Sequence, residues 1–157
     1  MARKILVPID FRVASLNTLK LALEAEEADE VQVLLLFATQ LSNSITELLF
    51  HSPAASLREK MTPEFREALS ILSSRYERKF VAWNIKEFHG KNVSAMAIFL
   101  EANGIEAAYI PKTYPLQLKG VVDPCKLLKA CRVPVHELDW NGSIRPADIE
   151  NLTSFFN

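Results

Sequence analysis

The chain has 157 residues, about right for one domain, with 49% hydrophobic and 24% charged side chains. Eighteen basic and nineteen acidic residues leave a net charge of −1, so no electrostatic signal points to nucleic acid or to a membrane surface. No apolar run approaches the roughly 20 residues that span a bilayer, and the composition excludes a disordered or collagen-like chain.

The segment Lys4-Ile-Leu-Val-Pro-Ile-Asp10 is almost wholly apolar and ends in an acid. It predicts a strand buried on both faces, with Pro8 near the end, where a missing N–H is least costly. It is too short for a secretion signal, which points to a cytoplasmic protein. From Ser15 to Ala28, Leu16, Leu19 and Leu23 recur at helical spacing, with Glu24, Glu26 and Glu27 between or after them. Val31 to Ala38 predicts a second buried strand.

Leu41 to Met61 reads as a long connection, in which Ser44 to Glu47 resembles a capping box before Leu48-Leu49-Phe50. A short helix is expected there. Thr62-Pro63-Glu64 is a helix start: a hydroxyl cap, a first-turn proline and an acid at the positive end of the dipole. Phe65, Leu69, Leu72, Tyr76 and Phe80 form the stripe expected to face the core. Val81 to Phe88 is a third strand with weak alternation.

Asn92 caps a further helix, and Asn103-Gly104 stops it, the glycine supplying a left-handed conformation. Ala107 to Ile110 is a fourth strand. Asp123-Pro124 opens another helix, and Val135 to Leu138 is a fifth strand. The alternation predicts an α/β fold, an open doubly wound five-stranded parallel sheet with helices on both faces. Residues 1–140 form the domain; 141–157, with Ile149, Leu152, Phe155 and Phe156 on one helical face, form a helical extension packed on the domain or on a partner copy.

Cys125 and Cys131, six apart, fall on different faces of a helix and about 9 Å apart along its axis, so reduced, buried thiols are expected. His51, His89 and His136 have no second ligand at metal spacing. His89 belongs to a turn, and His136 to a surface or dimer edge. No Gly-x-Ser-x-Gly, Cys-x-x-Cys or other nucleophile setting occurs, so no catalytic residue is assigned.

The opening strand with Ala14-Ser15-Leu16 behind it resembles the start of the universal stress protein family. So do the second strand, Gly90 before a helix, Phe99 to Glu106, and Leu127-Leu-Lys-Ala-Cys-Arg-Val-Pro-Val135. The resemblance spans residues 3–138. It implies strand order 3-2-1-4-5 (a Rossmann-like, adenine nucleotide alpha hydrolase-like arrangement) and a homodimer paired through the fifth strand, Val135–Leu138.

Family members that bind ATP carry a loop Gly-x2-Gly-x9-Gly-Ser/Thr after the fourth strand, and an acid at the end of the first strand that contacts the nucleoside. Glycines there let backbone N–H groups approach phosphate. Counted from the strand, those glycine positions fall here on Pro111, Tyr114 and Pro124, with Cys125 at the hydroxyl. Counted back from the helix, they fall on Ala108, Pro111 and Val121, with Val122 at the hydroxyl. Neither register keeps a glycine.

Residues 111–123 contain only Gly120, and the count is about three short. The resemblance therefore implies the scaffold without family-type ATP binding: no cofactor, no catalysis, and a regulatory or binding role toward an unidentified protein or small ligand. The alternative is a rewired adenine-nucleotide site for ATP or AMP, built from Asp10, Lys112 and Thr113. Asp10 lies at the carboxyl edge of the sheet, where open α/β folds bind ligands. Phe11-Arg12-Val13 follows it in place of small polar residues.

Overall fold

The computed structural model describes residues 2–39, 49, 52–117 and 123–140. Five strands form one sheet in the order β3-β2-β1-β4-β5, and every pairing is parallel. The strands are β1 (Arg3–Pro8), β2 (Val31–Ala38), β3 (Phe80–Phe88), β4 (Ala107–Pro111) and β5 (Val135–Leu138). The helices are α1 (Leu16–Ala25), entered through a 3-10 turn at Val13–Ser15, α2 (Pro53–Lys60), α3 (Pro63–Arg75), α4 (Val93–Ala102) and α5 (Pro124–Lys129).

Alternation along the strands divides the core into two layers. Ile5, Val7, Val33, Leu35 and Phe37 face α1 and α3, where Leu16, Leu19, Leu23, Phe65, Leu69 and Leu72 meet them. Leu6, Leu34, Leu36, Ala108 and Ile110 face α4 and α5, packing on Met96, Leu100, Leu127 and Leu128.

The helix caps follow the residues that specify them. Thr62 Oγ1 accepts the Phe65 N–H at 3.1 Å, Asn92 Oδ1 the Ala95 N–H at 2.9 Å, and Asp123 Oδ1 the Cys125 N–H at 2.9 Å. At the end of α4, Gly104 has φ +65°. The Ile105 N–H reaches the Leu100 carbonyl at 3.0 Å and the Gly104 N–H reaches Glu101 at 3.1 Å, which completes a Schellman motif.

Several expectations need correction. The stripe from Phe65 stays helical only to Arg75; Tyr76 ends the helix and Phe80 starts β3, where it buries against the same layer. The connection after β2 contains α2, which was legible in Ser52-Pro53: Ser52 Oγ accepts the Ala55 N–H at 3.2 Å ahead of a first-turn proline. Residues 44–48, with the capping box expected there, lie outside the described residues, as do His51 and residues 141–157.

Glu26, one of the acids between or after the leucines of α1, is buried. Its carboxylate accepts the Tyr109 hydroxyl at 2.6 Å and pairs with Arg3 Nε at 3.4 Å, while Lys79 Nζ donates to its backbone carbonyl. Both cysteines are free, but only Cys125 is buried. Because α5 stops at Lys129, the half-buried Cys131 follows the helix, with Sγ 3.3 Å from the Leu127 carbonyl. Burial, then the neighbouring Asp123 carboxylate, pushes the Cys125 thiol well above its ordinary range.

Gly90 is fixed by space. A Cβ there would lie 2.6 Å from Ala95 Cβ and 2.4 Å from the Phe88 ring. Gly90→Ala is expected to destabilise the fold by about 1–3 kcal/mol through overpacking. Urea unfolding of the two proteins measures this; an unchanged midpoint would contradict the packing described.

Candidate functional site

Asp10 lies two residues beyond the end of β1, at the carboxyl edge of the sheet. Its side chain has no exposed surface. The chain turns immediately after it: Phe11 has φ 64°, a left-handed conformation that costs a large side chain energy. The ring offsets that cost by packing against Phe37 and Phe65, with centroids 4.9 and 5.3 Å away.

This turn brings Arg12 back onto Asp10. The Arg12 N–H donates to Oδ1 at 3.0 Å, and its guanidinium Nε and Nη2 donate to Oδ2 at 3.2 and 3.1 Å. Ser15 Oγ donates to the Arg12 carbonyl at 2.7 Å and accepts the Asp10 N–H at 3.4 Å, which ties the turn to the start of α1.

The segment after β4 supplies the remaining donors. Tyr114 Oη donates to Asp10 Oδ2 at 2.9 Å, and the Gln117 backbone N–H donates to the same oxygen at 3.0 Å. Arg12 Nη2 also donates to the Pro115 carbonyl at 3.2 Å. A carboxylate offers about four lone-pair positions. Asp10 already receives two donors from the strap, three from Arg12, and is closed to solvent.

The Tyr114 ring is held as firmly as its hydroxyl. It stacks on Trp140 with centroids 4.3 Å apart and planes at 17°, and Arg12 Cζ lies 4.8 Å from its centroid. Trp140 is buried, and its Nε1 donates to Thr18 Oγ1 on α1 at 3.2 Å. Residues 112–117 are thus a strap pinned at one side by β1 and at the other by the segment after β5.

Lys112 and Thr113 do not join Asp10. Both side chains are exposed, and the Lys112 backbone N–H binds the Leu138 carbonyl at 2.9 Å. Lys112 lines instead a shallow groove along β5 with Tyr109, His136 and Glu137. His136 stacks on Tyr109 at 4.7 Å. His89, in its turn, contacts Thr39 Oγ1 at 2.9 Å and Glu87 at 2.5 Å. Among the described residues, no cluster of His, Cys, Asp and Glu could hold a metal ion.

The three partners of Asp10 were present in the sequence but not readable as such. Arg12 looked like an intrusion into a binding motif, and Tyr114 and Gln117 reach the acid only because β4 lies beside β1.

The sheet order and the all-parallel pairing agree with solved structures. The fold is that of the universal stress proteins. A universal stress protein family structure from Burkholderia pseudomallei is 15% identical, covers 86% of this chain and 94% of its own, and has a TM-score of 0.51. One from Arabidopsis thaliana with AMP bound is 13% identical, with 94% and 98% covered and a TM-score of 0.52. A universal stress protein in complex with cAMP is 13% identical, with 88% and 97% covered and a TM-score of 0.52. No protein-family model and no curated protein matches the sequence. Among the described residues, no helix is long and apolar enough to cross a membrane.

All three tyrosines of the chain carry raised phenol values. For Tyr114 the causes are burial, the Asp10 charge and the hydrogen bond to it; for Tyr109, burial and its bond to Glu26. Burial and the bond to Glu24 push Tyr76 up to about 12. A raised value means that this stabilisation is complete below the ordinary phenol range near 10 and is lost as pH rises through the folded values. In an alkaline titration, phenolate absorbance should therefore be absent at about pH 10 and should rise together with unfolding at higher pH. A tyrosine half-ionised near pH 10 in the folded protein would contradict these contacts.

Proposed function

We propose that this universal-stress-protein-like chain is a non-catalytic binding or regulatory module that does not bind ATP in the family manner and works as a homodimer. The reading rests on one observation: the carboxylate at the end of β1 is closed to solvent and already takes donors from Arg12, Tyr114 and the Gln117 N–H. A nucleoside entering there must displace a charge-assisted pair and a stacked tyrosine. The strap is also poor in phosphate donors, since Pro115, like Pro111 at the end of β4, has no N–H and Gln117 has committed its own.

The non-catalytic part of the reading draws on the lack of a nucleophile motif in the sequence. Thr39, His89 and Glu87 do form a hydroxyl–imidazole–carboxylate chain after β2 and β3, with contacts of 2.9 and 2.5 Å, on residues other than those that hold Asp10. The homodimer reading draws on β5, a four-residue strand that, among the described residues, pairs with β4 alone, which would leave its outer edge to a second copy. The function then lies in contacts with a protein partner or a small ligand rather than in turnover.

The rival reading, an adenine-nucleotide site rebuilt on Asp10, Lys112 and Thr113, is motivated by the AMP and cAMP complexes among the structural neighbours. It requires the strap to leave Asp10. One sample tests both parts of the proposal. Light scattering at tens of micromolar should give a dimer mass, and calorimetric titration with ATP, ADP and AMP should give no binding heat at millimolar nucleotide. A monomer overturns the dimer; saturable heat overturns the loss of nucleotide binding.

A further inference from the structure

The sheet face covered by α4 and α5 is apolar at Leu6, Leu34 and Leu36, as a doubly covered parallel sheet should be. Beyond these leucines its character changes. Lys4 aligns with Gln32 and Ala82, Leu34 with Asn84, and Leu36 with Lys86. The period of two places Lys4, Gln32, Asn84 and Lys86 on the same face as the leucines. They line a groove of about 300 Å³ that is closed on one side by the last turn of α4. That volume is at the small end for a ligand pocket.

The two ammonium groups converge on that turn from different strands. Lys86 Nζ donates to Asn103 Oδ1. Lys4 Nζ would lie 3.8 Å from a Cβ at Gly104, so it rests against the glycine that ends the helix. Cations favour a helix C-terminus, which accounts for one of them. Bringing both to one turn adds repulsion between like charges. No carboxylate lines the groove among the described residues. The nearby acid Glu106 accepts the Lys4 backbone N–H at 2.8 Å and is outside the lining. The other polar groups are the neutral amides of Gln32, Asn84 and Asn103, which can donate to a ligand without adding charge.

We propose that this groove binds a small anion of two negative charges, of the phosphate or dicarboxylate class, bridged by Lys4 and Lys86 and oriented by the amides of Asn84 and Gln32. The site shares no residue with the Asp10 node, so it stands or falls independently of the function proposed above.

Titration of the isotope-labelled protein with inorganic phosphate at neutral pH, followed by nitrogen-proton NMR, tests it. The Gly104 amide and the side-chain amides of Asn84 and Asn103 should shift and saturate at millimolar phosphate. Succinate in a parallel titration distinguishes the two ligand classes. Lys4→Gln and Lys86→Gln, at exposed positions and with an otherwise unchanged spectrum, should each weaken binding by about tenfold. Three results would each overturn the proposal: no saturable shift with either anion, the same shift with sodium chloride at matched ionic strength, or undiminished binding in both variants.

Discussion

A single carboxylate holds the carboxyl edge of this sheet together. Asp10 joins the end of β1 and the turn into α1, which adjoin it in sequence, to two distant pieces of chain: the strap after β4 and, through the Tyr114 ring, Trp140 beyond β5. A buried charge is tolerated only when its lone pairs are met and a counter-charge is near. Arg12 supplies the counter-charge, and Tyr114 and Gln117 supply the remaining donors. Removing Arg12 would leave the buried anion without its counter-charge, so these contacts support one another.

The same node changes what the edge can do. In an open α/β sheet, the crevice beyond the strand ends is the usual ligand position. Here residues of the strap cover the acid at the end of β1. The polar contacts that a ligand would make to Asp10 are made internally, and an aromatic ring lies beside the acid. The strap, which carries Tyr114 and Pro115, closes over the Asp10 carboxylate; in the function proposed above, this closure stands in place of a phosphate cradle.

Much of the fold was legible because the relevant signals are local. Thr62-Pro63, Asn92, Asp123-Pro124 and Gly104 mark helix ends through their own backbone chemistry, and they cap those helices in the structure. The apolar runs of β1 and β2 read as doubly buried strands because these strands lie in the middle of the sheet, where helices cover both faces. β3 read weakly for the opposite reason: it is an edge strand, and Val81 and Trp83 are 42% and 43% exposed. The stripe that ran on through Tyr76 and Phe80 misled because a helix and the strand after it can feed the same core layer.

The site was far less legible. Asp10 was recognisable from its place at the strand end, but its partners sit 104 and 107 residues away and meet it only through the β1–β4 pairing. Arg12 is close in sequence, yet it reaches the acid only through a left-handed Phe11, which nothing in the residue type announces. The most direct measurement is amide hydrogen exchange at Gln117, with and without AMP. The account predicts an amide protected relative to an open loop and unchanged by millimolar nucleotide. Exchange at the rate of a free loop, or protection that is lost when AMP is added, would contradict it.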